Sequence, residues 1–166
     1  MRKYLEQEML AACLYGRVRY NCTAYVGMDG CHIFEIYIDN KLAKQFSLET
    51  VNTFFINNGY KEKKDYFGLG EYWNEFWSVL DKTPMQSRTE YTDNEFCDAL
   101  EQYRNQSIKD SINSDNPIVK MFAILDRRVG KRTLASVAEA KESLPQWLQT
   151  FYKLRLEAEN MSLGIN

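Results

Sequence analysis

The chain has 166 residues, 45% hydrophobic and 27% charged, with a formal net charge of −2, the size and balance of one soluble globular domain that can bury a core. A slightly acidic molecule has no overall attraction for nucleic acid or an anionic membrane, so either function would need a local basic patch. No apolar run nears the ~20 residues of a membrane-spanning helix.

Leu5, Met9, Ala12 and Cys13 recur at helical spacing, which predicts an amphipathic helix over 2–14 that stops before Gly16. Glu6, Gln7 and Glu8 interrupt any signal-peptide core in this segment. The expected location is therefore the cytoplasm, with Cys13, Cys22, Cys31 and Cys97 as reduced thiols. The period then changes to two. Val18, Tyr20, Cys22, Ala24 and Val26 alternate with polar residues, and after GMDG so do Phe34, Ile36 and Ile38. This is a β-hairpin. A three-residue loop, Met28-Asp29-Gly30, puts both apolar sets on one face by pairing Ala24 with Phe34 and Cys22 with Ile36. It also sets Arg19 opposite Asp39 and Thr23 opposite Glu35. Asp39-Asn40 is a second turn signal, and Lys41 to Phe46 reads as the third strand of a meander.

From Ser47 the pattern is helical. Ser47 caps a helix carrying Leu48, Val51, Phe54 and Phe55 that ends near Asn57-Asn58-Gly59. YKEKKDYFG (60–68) is a charged connection. Residues 71–82 form a helix with a wide aromatic face, closed by Pro84. Thr92 with Glu95 is a capping-box pattern ahead of Phe96, Ala99, Leu100 and Tyr103. Residues 107–116 are polar, a short turn and a loop. Asn116-Pro117 caps a helix over 117–129, and helices over roughly 132–143 and from Pro145 to Glu159 complete the chain. A meander with one apolar face needs helices over it. The expected fold is α+β: one domain over 1–166, with helix, meander and covering helix in 1–60 and a helical part in 61–166.

The C-terminal third carries LDRRVGKRTL and then LPQWLQTFYKLRLEAE. Over residues 124–159 this resembles an uncharacterised family of small bacterial proteins, with GRVRYNCTAY and IYIDNKL similar to its N-terminal part. The resemblance implies a bacterial cytosolic domain and carries over no catalytic or binding residue.

LDRRVGKR also concentrates charge: Arg127, Arg128, Lys131 and Arg132 surround Gly130. As the end of helix 117–129, these cations would complement exposed carbonyls, each contributing roughly 0.3–1 kcal/mol. On an ideal helix Arg127 lies roughly 200° from Leu125 and faces solvent, while Arg128, at roughly 300°, borders the core. Arg128 then needs a carboxylate, for which Glu157 or Glu159 are the candidates. The other reading is a phosphate or nucleic-acid site, which requires the next helix to begin at Lys131 and direct its first N–H groups to the same place.

Other constellations are sparse. Cys13, Cys22 and Cys31 are nine residues apart and lack metal-ligand spacing, so no metal is expected. His32, the single histidine, shares a strand face with Phe34 and Ile36, a core-edge position without a nucleophile signature. Glu35 and Asp39 each have a cross-strand polar neighbour. Tyr72, Trp73, Phe76 and Trp77 have the spacing of a core face rather than of a base-stacking surface. No nucleotide-binding motif is present and no cofactor is expected. Two function classes remain. The first is a non-catalytic cytosolic module, regulatory or immunity-type, that binds another protein through the polar hairpin face, with Arg19 and Tyr37 as anchors. The second is a nucleic-acid or nucleotide-phosphate binder using Arg127, Arg128, Lys131 and Arg132. A hydrolase centred on His32 ranks third.

Overall fold

A computed structural model of the chain describes residues 1–24, 32–60, 69–139 and 144–161. The expected Met28-Asp29-Gly30 loop, Cys31, residues 61–68 of the charged connection and residues 140–143 lie outside the described residues.

Strands β1 (Val18–Ala24), β2 (His32–Ile38) and β3 (Lys41–Phe46) form an antiparallel sheet in the order β1-β2-β3. The helices α1 (Leu48–Asn57), α2 (Leu69–Lys82), α3 (Asp93–Asn105), α4 (Ile108–Ile112), α5 (Pro117–Leu125), α6 (Lys131–Glu139) and α7 (Gln146–Ala158) follow. The expected α+β architecture, a meander followed by a mostly helical remainder, is the one observed.

The hairpin faces are as expected but the register is not. Cys22 pairs with Phe34, Tyr20 with Ile36, Arg19 with Tyr37, and Ala24 with His32. Every described pair is shifted by two residues from the three-residue-loop register. A shift of two preserves which side chains face inward, so the apolar pattern specifies the face and leaves the loop length open. At the second turn Asp39 (φ 48°) and Asn40 (φ 67°) are both left-handed, the requirement of a tight two-residue hairpin turn that these residue types tolerate. Between β2 and β3 the register slips: Ile36 faces Lys44 but Tyr37 faces Leu42. The extra residue is Ala43. This bulge turns Leu42 to the open face while Lys44 and Phe46 point inward.

The N-terminal helix expected over 2–14 is broken. A wide, π-type turn (Tyr4–Met9) and a 3₁₀ turn (Ala12–Leu14) flank an extended Leu10-Ala11. Leu10 bridges Asp126, Ala11 N–H donates to the Leu125 carbonyl at 2.9 Å, and Arg127 N–H donates to the Met9 carbonyl at 2.8 Å. Tertiary backbone pairing thus replaces the local helix bonds that propensity alone favours.

Helix α5 lies at the centre. Ile118, Val119, Met121, Phe122, Ala123, Ile124 and Leu125 are all buried, as expected of a helix apolar all round, with α3, α4 and α7 packed against it. Asn116 caps it by accepting from the N–H groups of Ile118 (3.0 Å) and Val119 (3.4 Å), with Pro117 at its first position. The capping box of α3 is complete: Glu95 N–H donates to Thr92 Oγ1 (3.1 Å) and Thr92 N–H to Glu95 Oε2 (2.8 Å). A second, smaller cluster joins Val51 and Phe55 of α1 to Phe76 and Leu80 of α2.

Candidate functional site

The basic run does not lie on one helix. Helix α5 ends at Leu125 because Asp126 turns extended and its carboxylate captures local donors: Oδ1 accepts from the Arg128 N–H at 2.6 Å. This Asx turn competes with continuation of the helix. The phasing of Arg127 and Arg128 as helical residues is therefore corrected, and so is the expected partner of Arg128. Its guanidinium pairs with Asp126, Nε at 2.9 Å and Nη2 at 2.6 Å, rather than with Glu157 or Glu159. The Tyr103 hydroxyl donates to the same carboxylate oxygen, and Arg128 Nη2 donates to the Tyr103 hydroxyl at 3.2 Å. Asp126 is fully buried while the Arg128 side chain is 47% exposed, so the pair lies at the surface end of a buried polar triad. Burial, followed by the Asp126 contact, raises the Tyr103 pKa far above the usual phenol range.

Arg127 is exposed in the connecting turn. Lys131 and Arg132 are exposed on the first turn of α6, which begins at Lys131, with Leu134 N–H donating to the Gly130 carbonyl at 3.1 Å. The cations thus stand at a helix N-terminus, where the macrodipole opposes them, and not at the helix end that would favour them. Of the four, Arg128 lines a cleft that the other three do not line. That cleft, about 520 Å³, lies between α4, α5 and α6, and Lys109, Lys120 and Arg128 all line it together with Asn113, Thr133 and Ser136.

The buried guanidinium of the α5–α6 joint belongs to Arg155, which is 2% exposed. Its Nη2 donates to the Val129 carbonyl at 2.9 Å and pairs with Glu159 at 3.0 Å, and Cys13 Sγ donates to Glu159 Oε1 at 3.3 Å. The periodicity contains this signal: Arg155 falls three residues after Tyr152, four after Phe151 and seven after Leu148, all buried. Glu159 therefore is a joint carboxylate, but for Arg155. Burial and Glu159 together raise the Cys13 thiol pKa.

The second face of the sheet is open. Arg19, Asn21 and Thr23 are exposed, as is Leu42, and Tyr37 is half-buried among them. The Arg19 guanidinium carbon lies 5.9 Å from the Tyr37 ring centroid, within cation–π range. Glu35 accepts from Asn21 Nδ2 (2.9 Å) and from the Tyr37 hydroxyl (3.1 Å). The register shift also moves the ion pair: Asp39 faces Arg17, at 2.7 Å, instead of Arg19. Arg19 has no carboxylate partner among the described residues.

The remaining candidates are placed as follows. The His32 ring is exposed and stacks on Phe34 (5.9 Å between centroids), while its backbone N–H donates to Asp93 Oδ2 at 3.0 Å. Tyr72 and Phe76 are buried, and Trp77 is partly exposed. Among the described residues no three His, Cys, Asp or Glu side chains come together as a metal site. No helix among them is long and apolar enough to cross a membrane. None of the curated proteins and none of the solved structures matches the chain. The sequence model of the SF0329 protein family matches residues 1–156, extending the C-terminal likeness over nearly the whole length.

Proposed function

We infer that this chain, which belongs to the SF0329 protein family, is a non-catalytic, cofactor-free module, regulatory or immunity-type, that binds another protein in the bacterial cytoplasm. The observation that carries the reading is the open sheet face. Arg19, Tyr37 and Leu42 lie side by side on neighbouring strands, with a guanidinium that has no carboxylate partner among the described residues, a half-buried ring and an aliphatic side chain that is 50% exposed. Aromatic and arginine anchors surrounded by polar groups form the chemistry of protein interfaces. The Ala43 bulge contributes directly, since a regular β3 would turn Leu42 inward. A fitting partner supplies a carboxylate to Arg19 and an apolar side chain between Tyr37 and Leu42. The free thiols of Cys22 and Cys97, both exposed, suit a reducing compartment.

The test compares wild type with Arg19→Glu and Tyr37→Ala in capture from native lysate, followed by hydrogen exchange of the recovered complex. A partner retained by wild type, lost by both variants at unchanged melting temperature, and protecting β1–β3 is expected. A partner that ignores both substitutions, or protects only helices, defeats the reading.

A further inference from the structure

We propose that the cleft between α4, α5 and α6 binds a small organic phosphate, with the phosphate held by Lys109, Lys120 and Arg128 and an apolar body against the aliphatic side chains of the lining. This site differs from the sheet face and from the linear basic run, most of which points elsewhere.

Three observations converge. First, three cations from three different segments line one concavity, and no carboxylate is among the described residues that line it. Neither lysine has an ion-pair partner among the described residues. Asp126 offsets the Arg128 charge, but the two lysines that line the cleft repel, and a bound anion relieves that repulsion. Second, Arg128 is positioned rather than loose. Asp126 holds its Nε and Nη2, which leaves Nη1 uncommitted among the described residues on a side chain that lines the cleft. Third, the remaining lining is of mixed chemistry. Thr133, Ser136 and Asn113 supply hydroxyl and amide groups, and Ile108, Ile112, Val129, Val137 and Leu144 supply aliphatic surface. A bare inorganic ion has no use for the aliphatic residues, whereas an organic phosphate uses both kinds of lining. The volume, about 520 Å³, lies in the ordinary range for small-molecule sites and suits a ligand of mononucleotide size. A nucleic-acid duplex does not fit inside it, and Arg127, Lys131 and Arg132, which an extended polyanion would need, do not line it.

Isothermal titration calorimetry with adenosine monophosphate and 4-nitrophenyl phosphate, against inorganic phosphate, tests this. Both organic probes should bind saturably and more tightly than inorganic phosphate. The pair Lys109→Gln/Lys120→Gln, away from the Asp126 triad, should weaken them about tenfold or more, and Val137→Asp should abolish binding by placing a carboxylate in the cleft. Arg127→Gln/Lys131→Gln/Arg132→Gln removes more charge outside the cleft and should change affinity less than about twofold. No saturable heat with either organic probe up to about 5 mM overturns the proposal. So does a loss that follows Arg127, Lys131 and Arg132 instead of the two lysines, the result expected of a surface polyanion site. Melting curves of each variant confirm that it is folded.

Discussion

Asp126 shows how one side chain resets the local geometry. It ends α5, forms the Asx turn, accepts from Tyr103 and holds Arg128, all while fully buried. Removing the cation leaves a buried carboxylate with a single neutral side-chain donor. Arg128→Ala should therefore destabilise by about 1–3 kcal/mol, discounted from a fully buried pair because the guanidinium is half in water. Arg127→Ala should change stability by less than about 0.5 kcal/mol, since the exposed side chain has no ion-pair partner among the described residues and its backbone bond to Met9 survives. Urea unfolding of the two variants decides it. Equal midpoints, or a larger loss at Arg127, contradict this assignment. Spacing singled out Arg128 as a helical residue at the core edge that needs a carboxylate, whereas it is exposed in a turn, like Arg127, and reaches a buried carboxylate two positions earlier. Lys44 was a missed signal of the same kind. It shares strand parity with Phe46, is buried, and lies within 6 Å of the Phe46, Tyr91 and Trp147 rings while pairing with Glu90 at 2.6 Å.

Between elements, two charged joints involve α7, one to the α5–α6 connection and one to the sheet. In one, Arg155 ties Glu159 to the Val129 carbonyl, yet its Nε and Nη1 lack partners among the described residues. A buried ion with unsatisfied donors is weak support for stability but costly to break from one side. Arg155→Ala should cost about 2–4 kcal/mol, because a cavity and a carboxylate without its cation remain. Arg155→Met combined with Glu159→Gln should recover most of that loss in a thermal melt. A double variant as unstable as the alanine single would mean that the charge itself is required. In the other joint, Arg17 holds Asp39 in the β2–β3 turn at 2.7 Å and Glu157 at 3.0 Å. The Arg17 hydrogen bond keeps the Asp39 pKa below the ordinary aspartate value. A depressed carboxylate contributes stability that is full above the unfolded pKa and is lost as pH falls through the folded one. The melting-temperature gap between wild type and Asp39→Asn should therefore stay constant from about pH 7 to about pH 5 and close below about pH 4. A gap that persists in acid assigns the effect to something other than this titration. Strand faces, caps and helix existence were readable because period, cap chemistry and turn residues act locally. The broken N-terminal helix, the Ala43 bulge and the two-residue register shift were not, since partners distant in sequence decide them.

Across the whole molecule, apolar burial is divided unequally. The main cluster runs from Leu5 to Leu156 and centres on α5, which is buried except at Lys120. The cluster between α1 and α2 has four buried residues, Val51, Phe55, Phe76 and Leu80, bordered by Phe54, Tyr60 and Trp73. Opening free energy follows the contacts a segment must break, so two clusters of such different size should not open together. Amides of α5 and α7 should exchange only through global unfolding and track the urea-derived stability. Those of α1 and α2 should exchange through a smaller opening that leaves the sheet and α5 protected. Phe76→Ala sharpens the test. Phe76 is 0% exposed and packs edge-on against Phe55 at 5.6 Å, and a phenylalanine truncation typically costs about 3–5 kcal/mol. If the clusters open separately, exchange in α1 and α2 accelerates while α5 and α7 keep wild-type rates, and the open sheet face remains available to a partner. If one cooperative unit spans both, all four helices lose protection by the same free energy, and the α1–α2 cluster is then a part of the main core.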